Sequence, residues 1–203
     1  MSSKGSKWID RLEKVRAGKD RFFRDDPRSP LPERDRESFD GLRYYPVTED
    51  YRFELELHEH ADKATVRLET TGGDEREVVR WGEFRFTRAG REWVVQAYRT
   101  EPGEARLFVP FRDETGATET YPVGRYLDLE PRVHRTGEGR WILDFNEAYN
   151  PWCAYTDGYS CVIPPAENAL DLPIPAGEKR YRAPDSRSSD ESGGGPGAAR
   201  APD

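Results

Sequence analysis

The first pattern along the chain is helical and covers residues 6–24. Its large apolar side chains recur at spacings of three and four, which places them on one face of an α-helix: Trp8, Leu12, Val15, Phe22 and Phe23. Ser6 is a suitable N-cap for this helix, and Pro27 ends it. We therefore predict one amphipathic helix at the N-terminus, followed by an extended strap over residues 25–41.

From residue 42 onward, apolar positions recur at every second residue, as in β-strands with one buried face. In residues 51–58 that face carries Tyr51, Phe53, Leu55 and Leu57. Strand-like patterns separated by turns follow in seven further segments: 64–68, 79–86, 93–97, 106–111, 119–129, 140–146 and 170–174. Gly82 lies where the phase of the alternation shifts, which predicts a β-bulge.

These elements predict a mainly β protein: an antiparallel β-barrel or β-sandwich of about eight strands with one N-terminal α-helix. We favour a curved, barrel-like sheet, with the helix packed against it or closing one end. Apolar side chains alternate on one face only, which excludes a doubly wound parallel sheet. One domain is expected over residues 6–182, with a β core at 42–182. Disorder is predicted for residues 1–5 and for the polar tail at 183–203.

The chain is acidic and rich in arginine. It has 39 acidic and 32 basic residues, a net charge of −7, and only six lysines. This composition suits solubility at high salt, and it equally suits a genome that favours arginine codons. No basic face predicts a nucleic-acid partner. Because neither a membrane-spanning run nor a signal peptide is visible, we expect a cytoplasmic protein with no membrane partner. The oligomeric state stays open.

Residues 144–155, DFNEAYNPWCAY, combine polar, aromatic and turn-forming side chains. Strand alternation places Asp144 and Asn146 on one side of the chain. One interpretation is a ligand pocket with Asp144 and Tyr149 as catalytic candidates and with Asn146, Asn150 and Tyr155 as ligand-binding residues. The alternative is a long ordered loop whose Asp and Asn side chains satisfy their own backbone groups.

Residues 111–126, FRDETGATETYPVGRY, form the second candidate segment. They predict a hairpin whose return strand carries Glu119, Tyr121, Arg125 and Tyr126, with Arg112 and Arg125 near the same end. The planar guanidinium fork suits a carboxylate or phosphate, so the functional interpretation is an anion site formed by Arg112, Asp113, Tyr121, Arg125 and Tyr126. The alternative is a buried pair of arginine and carboxylate that holds the hairpin together.

The cysteines and histidines leave several interpretations open. Cys153 and Cys161 are eight residues apart, which is compatible with two structural thiols, a disulfide, or a metal-binding or catalytic role. His58 and His60 have a spacing that can chelate a metal, but no third ligand is visible, so we favour a charged hairpin tip as their explanation. The common nucleotide, hydrolase and zinc motifs are missing, so no metal and no cofactor is predicted.

Several motifs in chain order resemble the DUF1684 family of bacterial and archaeal proteins of unknown function. They are SPL (29–31), FDGL (39–42), LFVPFRDETG (107–116), ETY (119–121), GRYL (124–127), LDFNEAYNPWCAY (143–155), Cys161, PP (164–165), EN (167–168) and AGEK (176–179). Where many members resemble CPLPP, this chain has CVIPP at 161–165. The acidic, arginine-rich version resembles members from salt-loving archaea. The resemblance implies no activity and no site residues.

Three functions are compatible with this sequence. The leading hypothesis is a small polar or anionic ligand bound between residues 111–126 and residues 144–155. The second is an enzyme, a hydrolase or lyase, that uses Asp144 as general acid or base at the same site. The third is a structural or interaction domain without a ligand. Contact between Asp144 and Arg125 in an open cavity would favour the first two.

Overall fold

The computed structural model describes residues 3–101 and 103–181. Helix α1 spans Ser3–Asp25, and two short helices follow: α2, Glu33–Arg36, and α3, Pro131–His134. The strands are β1, Arg52–Leu55; β2, His58–Glu59; β3, Thr65–Glu69; β4, Glu75–Arg88; β5, Arg91–Arg99; β6, Leu107–Asp113; β7, Arg125–Leu129; β8, Trp141–Asp144; and β9, Ala169–Leu170. Residues 183–203, predicted to be disordered, lie outside the described residues.

The fold is mainly β with one long helix at its N-terminus, as predicted. The larger sheet has the strand order β2-β4-β5-β6-β7, with β3 also pairing with β4 and β9 pairing with β6. Strands β1 and β8 form a separate antiparallel pair. The predicted bulge at Gly82 is confirmed, because the register between β4 and β5 shifts between Arg80 and Gly82.

The predicted barrel is wrong. Among the described residues, strand pairing leaves the larger sheet open between β2 and β7 rather than closing it. The β1–β8 pair forms its own two-stranded sheet, and its side chains cover the larger sheet instead of extending it. The structure is therefore compatible with the other predicted arrangement, a sandwich of two sheets.

The main core lies between the inner face of the larger sheet and the β1–β8 pair. Phe84, Phe86 and Phe111 from the larger sheet meet Leu143 and Phe145 there, and all five are almost completely inaccessible. A second apolar cluster covers the opposite, outer face of the sheet, where Tyr98, Phe108 and Tyr126 pack under Val162. The segment 149–162 therefore crosses the outer face, which becomes important for the site.

Three local predictions differ from the structure. Strand β7 begins only at Arg125, because residues 114–117 form a 3-10 turn and residues 118–124 run as turns.

Helix α1 begins at Ser3, so Ser6 lies inside it and is not its N-cap. Val15, expected on the buried stripe, is 57% exposed. The helix is rotated so that Arg16 and Lys19 face the domain instead.

Helix α1 is fastened to the domain largely by polar contacts. Trp8 Nε1 donates to Asp144, Arg11 pairs with Glu147, and Lys19 Nζ donates to Glu178. Across residues 3–101 and 103–181, no helix combines the length and apolar character that crossing a bilayer requires. This charged helix is a surface element of the domain.

Candidate functional site

A cavity of about 580 Å³ lies on the outer face of the larger sheet, beneath residues 149–162. The sheet contributes Phe108, Tyr126 and Asp128, and the crossing segment contributes Tyr149, Pro151, Trp152 and Tyr159. Trp152 and Tyr159 are 42% and 37% exposed and meet edge to face at 5.2 Å between ring centroids. The volume falls in the range of small-molecule sites, roughly 300–1,000 Å³. Aromatic rings therefore form one third of the lining, five of its fifteen residues.

Arg76 and Arg106 supply positive charge to this cavity. Arg106 lies between two acids, with Nε donating to Glu104 and Nη1 lying 3.3 Å from Asp128 Oδ1. Arg76 donates Nη2 to the carbonyl oxygen of Ser160 at 2.6 Å and forms no ion pair with a described carboxylate. Arg76 is therefore the cation available to an anionic group of a ligand.

A second cavity, of about 320 Å³, lies under helix α1. The helix contributes Leu12, Val15, Arg16, Lys19, Phe22 and Phe23, and the domain contributes Tyr44, Ala148 and Glu178 among others. Asp128, Tyr149 and Trp152 line both cavities. The two spaces are therefore neighbours that share one wall.

Tyr149, a predicted catalytic residue, forms part of that shared wall. Its hydroxyl donates to Asp128 Oδ2 at 2.6 Å. Burial, together with the negative charge of Asp128, raises the pKa of Tyr149 well above its ordinary value. Tyr149 therefore keeps its proton and directs it to Asp128.

Asp144, the other predicted catalytic residue, faces neither cavity. It is 1% exposed, and its Oδ1 accepts hydrogen bonds from the backbone N–H and the side-chain amide of Asn146. Its Oδ2 accepts from Trp8 Nε1 at 2.7 Å, with Arg52 Nε 3.6 Å away. Burial raises the pKa of Asp144, and the hydrogen bonds from Asn146 and Trp8 oppose that rise. Its contacts are those of an anchor for helix α1.

We expect Trp8→Phe to lower the free energy of unfolding by about 1–2 kcal/mol, because it removes a hydrogen bond to a buried carboxylate while keeping an aromatic ring. Urea denaturation of both proteins measures the difference. Trp152→Phe, at an exposed position where the indole N–H donates to no described protein atom, is the matched control and should change stability little. Equal losses in the two variants would contradict the anchoring role.

Arg125 is completely buried and holds the end of the described chain. Its Nη2 donates to Asp113 Oδ1 at 2.8 Å and to the carbonyl oxygen of Ile174 at 3.0 Å, while Nη1 donates to that of Ala176. Asp113 also accepts from the backbone N–H groups of Thr115 and Ile174. The guanidinium therefore joins β7 to the segment 174–178 as a buried clasp.

Arg112 and Arg125 do not share a site. Phe111 pairs directly with Arg125 across the ladder, so Arg125 points to the inner face and Arg112, one residue further, points to the outer face. Arg112 is exposed. Asp144 and Arg125 are likewise held by different partners, so the contact that would have favoured a shared site is not formed.

The tyrosines of residues 111–126 lie on the cavity side of the domain. Tyr126 lines the larger cavity and donates its hydroxyl to the carbonyl oxygen of Val162. Burial raises its pKa. Tyr121 directs its hydroxyl to the Cys153 sulfur at 3.6 Å. Tyr126 is therefore the residue of this segment that the structure brings to the cavity walled by Tyr149 and Trp152.

Asn146, Asn150 and Tyr155 are buried side chains that bind other parts of the protein. Asn146 exchanges two hydrogen bonds with the backbone of Thr48. Asn150 Nδ2 donates to Glu178 at 3.1 Å, and the Tyr155 hydroxyl donates to the same carboxylate. Because these partners lie in other segments of the chain, the interpretation of residues 144–155 as a loop that satisfies its own backbone groups does not describe these three residues.

Glu178 is the centre of a network that the sequence did not identify. It is completely inaccessible and receives hydrogen bonds from Lys19, Asn150 and Tyr155. Gly177, with a φ of 77°, brings the backbone so close that a Cβ there would lie 2.6 Å from the Phe145 carbonyl oxygen. Two features of the sequence could have indicated this network: the AGEK motif at 176–179 and a lysine on one face of the helix.

Cys153 and Cys161 are both free thiols. The backbone N–H of Cys153 points to the Cys161 sulfur at 3.4 Å. Burial, with a contribution from the neighbouring Cys153, raises the pKa of Cys161 to about 11, so the thiolate needed by a nucleophile is disfavoured. Among the described residues, no group of three or more His, Cys, Asp or Glu side chains is placed to hold a metal ion. His60 binds Gln96 at 2.8 Å.

Comparison with known proteins identifies relatives without an assigned function. A family model described as a protein of unknown function, DUF1684, matches residues 37–179. The solution NMR structure of an uncharacterised protein from Haloarcula marismortui is 37% identical, with a TM-score of 0.69, over 88% of this chain and 97% of that protein. No curated protein matches the chain. The family match includes Glu178 and Arg125, whereas helix α1 precedes it.

Proposed function

The chain belongs to the DUF1684 family, and we propose that this member binds a small ligand with a planar apolar body and a negatively charged group in the larger cavity. The observation that carries the proposal is a space of about 580 Å³ walled by five aromatic side chains, with Arg76 beside it. The five are Phe108, Tyr126, Tyr149, Trp152 and Tyr159. Rings of this kind pack against flat apolar groups, which bury large areas on contact.

The charges around the cavity support an anionic ligand. Glu75 and Glu77 pair with Arg67, and Asp128 pairs with Arg106. Arg76 donates to the Ser160 carbonyl oxygen and forms no ion pair with a described carboxylate, although its charge helps to lower the pKa of the nearby Asp74. A ligand carboxylate, sulfonate or phosphate would therefore meet an arginine that is free to form a direct ion pair, which favours binding of an anion over a cation.

The proposal is tested with 8-anilinonaphthalene-1-sulfonate, a fluorescent probe that has both a planar ring system and an anionic group. Wild type should bind one equivalent saturably, and Arg76→Ala should weaken binding roughly tenfold, the effect of losing one charged hydrogen bond. Trp152→Ala should weaken it as well by opening the wall. Displacement of the probe by mononucleotides and by aromatic carboxylates then shows which of these two classes of ligand binds more tightly.

Arg112→Ala is the matched control, because Arg112 is an exposed arginine of β6 that does not line this cavity and forms no ion pair with a described carboxylate. Its affinity for the probe should equal that of wild type. If Arg76→Ala and Trp152→Ala both bind the probe as wild type does, while unfolding at the wild-type urea concentration, the proposed site is wrong.

A further inference from the structure

Helix α1 turns two cations toward the domain where a purely structural helix would place apolar side chains. Leu12, Arg16, Lys19 and Phe23 follow one another at spacings of four, three and four, so they share one face. Leu12 and Phe23 are 2% and 1% exposed, whereas Val15 is 57% exposed. The helix therefore holds Arg16 and Lys19 inward between two buried apolar residues, at the cost of exposing a valine. Local departures of this kind mark functional positions in many proteins.

These two cations differ in how they are neutralised. Lys19 Nζ lies 2.6 Å from Glu178 Oε2 and 3.4 Å from the Tyr155 hydroxyl, which occupies two of its three protons. Arg16 lies over the ring of Tyr44 and donates to the carbonyl oxygens of Tyr45 and Asn146. No carboxylate in the described part of the chain forms an ion pair with Arg16. Burial lowers the pKa of Arg16, whereas Tyr44 and the carboxylates of Asp144, Glu13 and Glu178 act in the opposite direction.

The acidic groups that line the smaller cavity each have a cationic partner. Glu178 pairs with Lys19 in the same lining, Glu147 pairs with Arg11 and His134, and Asp128 pairs with Arg106. Arg16 is therefore the lining residue whose charge forms no ion pair within the described residues. An anion placed there would offset the cost of burying it.

The rest of the lining is mostly apolar or aromatic: Leu12, Val15, Phe22, Phe23, Tyr44, Ala148, Tyr149 and Trp152. A bare inorganic anion would leave this surface without a partner. We propose that the smaller cavity, of about 320 Å³, binds a monocarboxylate with a short apolar body, whose carboxylate contacts Arg16 and Lys19. This site is distinct from the larger cavity and stands whether or not the proposed function there holds.

The test uses hexanoate, with hexanamide as its neutral isostere and acetate as the anion without an apolar body. Amide proton–nitrogen NMR spectra of the full chain should show saturable shifts centred on residues 12–23 and 146–149 with hexanoate. Hexanamide and acetate should each bind at least about tenfold more weakly, because each lacks one of the two kinds of contact. Equal binding of hexanoate and hexanamide would overturn the role of the cations.

Two variants locate the site without disturbing Glu178. Arg16→Gln keeps hydrogen-bond donors for the two carbonyl oxygens but removes the charge, and should weaken hexanoate about tenfold. Val15→Trp fills the cavity from an exposed position and should abolish binding. Arg21→Gln, the same change at an exposed position of the same helix, is the control and should bind as wild type does.

The variants also separate this site from the larger cavity. Arg76→Ala should leave hexanoate binding unchanged, and Arg16→Gln should leave binding of the anilinonaphthalene probe unchanged. If hexanoate shifts map to the sheet residues of the larger cavity, or if Val15→Trp binds hexanoate like wild type, the smaller cavity is not the site.

Discussion

Glu178→Gln is expected to lower the free energy of unfolding by about 3 kcal/mol, because it leaves the Lys19 ammonium without its anion in a largely buried place. Glu178 has no accessible surface, whereas the Lys19 side chain is 24% exposed, which keeps the expected loss toward the lower end for a broken buried pair. The same change weakens the hydrogen bonds from Asn150 and Tyr155. Urea denaturation followed by far-UV circular dichroism measures the loss.

A double-mutant cycle separates the ion pair from the rest of the network. Lys19→Met alone should also be destabilising, because it leaves the carboxylate of Glu178 unpaired. Combining Lys19→Met with Glu178→Gln should recover part of the loss, since no unpaired charge then remains. Full additivity of the two losses would contradict a direct coupling between these side chains.

Glu119→Gln is the control for this experiment. Glu119 accepts a hydrogen bond at 2.9 Å from Lys179, the residue that follows Glu178 in the sequence. The side chain of Glu119, however, is 47% exposed. An exposed pair contributes less than about 1 kcal/mol. A loss at Glu119 as large as that at Glu178 would mean that burial is not the cause.

Arg125→Met is expected to cost about 4 kcal/mol, which makes it the most damaging of the changes considered. The substitution leaves Asp113, whose side chain is 3% exposed, without its cation. It also leaves the carbonyl oxygens of Ile174 and Ala176 without their donors. Both effects are penalties for buried polar groups that lose their partners. The measurement is again the urea midpoint, with fluorescence as the probe.

Two further variants define the role of Arg125. Arg125→Lys should recover only part of the stability, because one ammonium cannot reproduce a planar fork that reaches both Asp113 and the carbonyl oxygens. Arg112→Met, at the exposed arginine of the neighbouring strand, should change stability by no more than about 0.5 kcal/mol. If Arg125→Met unfolds at the wild-type urea concentration, the clasp is wrong and a ligand-binding role for Arg125 is favoured again.

The strands could be predicted because their pattern is local. The phase shift at Gly82 in the sequence became a register shift in the ladder, and the alternation at Tyr51, Phe53 and Leu55 placed all three against the main core. Closure into a barrel could not be predicted, since it depends on whether β2 and β7 meet, and no pattern within either strand decides that. The rotation of helix α1 also escaped prediction, because apolar spacing alone did not allow for cations on its buried face.

The candidate site was predictable only in part. Tyr149, Trp152 and Tyr126 were singled out by their segments and do line the larger cavity. The charged residues were not assignable to partners, because the partners are remote: Trp8 and Asp144 are 136 residues apart. A single sequence states which residues carry charge, but it does not show that Lys19 pairs with Glu178, because these residues are 159 positions apart. The pair of Arg125 and Asp113, only 12 positions apart on neighbouring strands, agrees with the alternative of a buried pair that holds the hairpin together. In the two motif-rich segments, the side chains of Arg125, Asp144 and Asn150 are all hydrogen-bonded within the protein.

The Lys19–Glu178 contact also limits when helix α1 can dock onto the domain during synthesis of the chain. The two residues are separated by 159 positions, so the ribosome must add most of the domain after the helix has emerged before Glu178 exists. During that interval the cationic face of the helix has no anion to dock against. We expect docking of the helix to be a late step of folding, since contacts between distant residues form slowly. Helix α1 is synthesised before the strands of this domain, yet it should be among the last of these elements to dock.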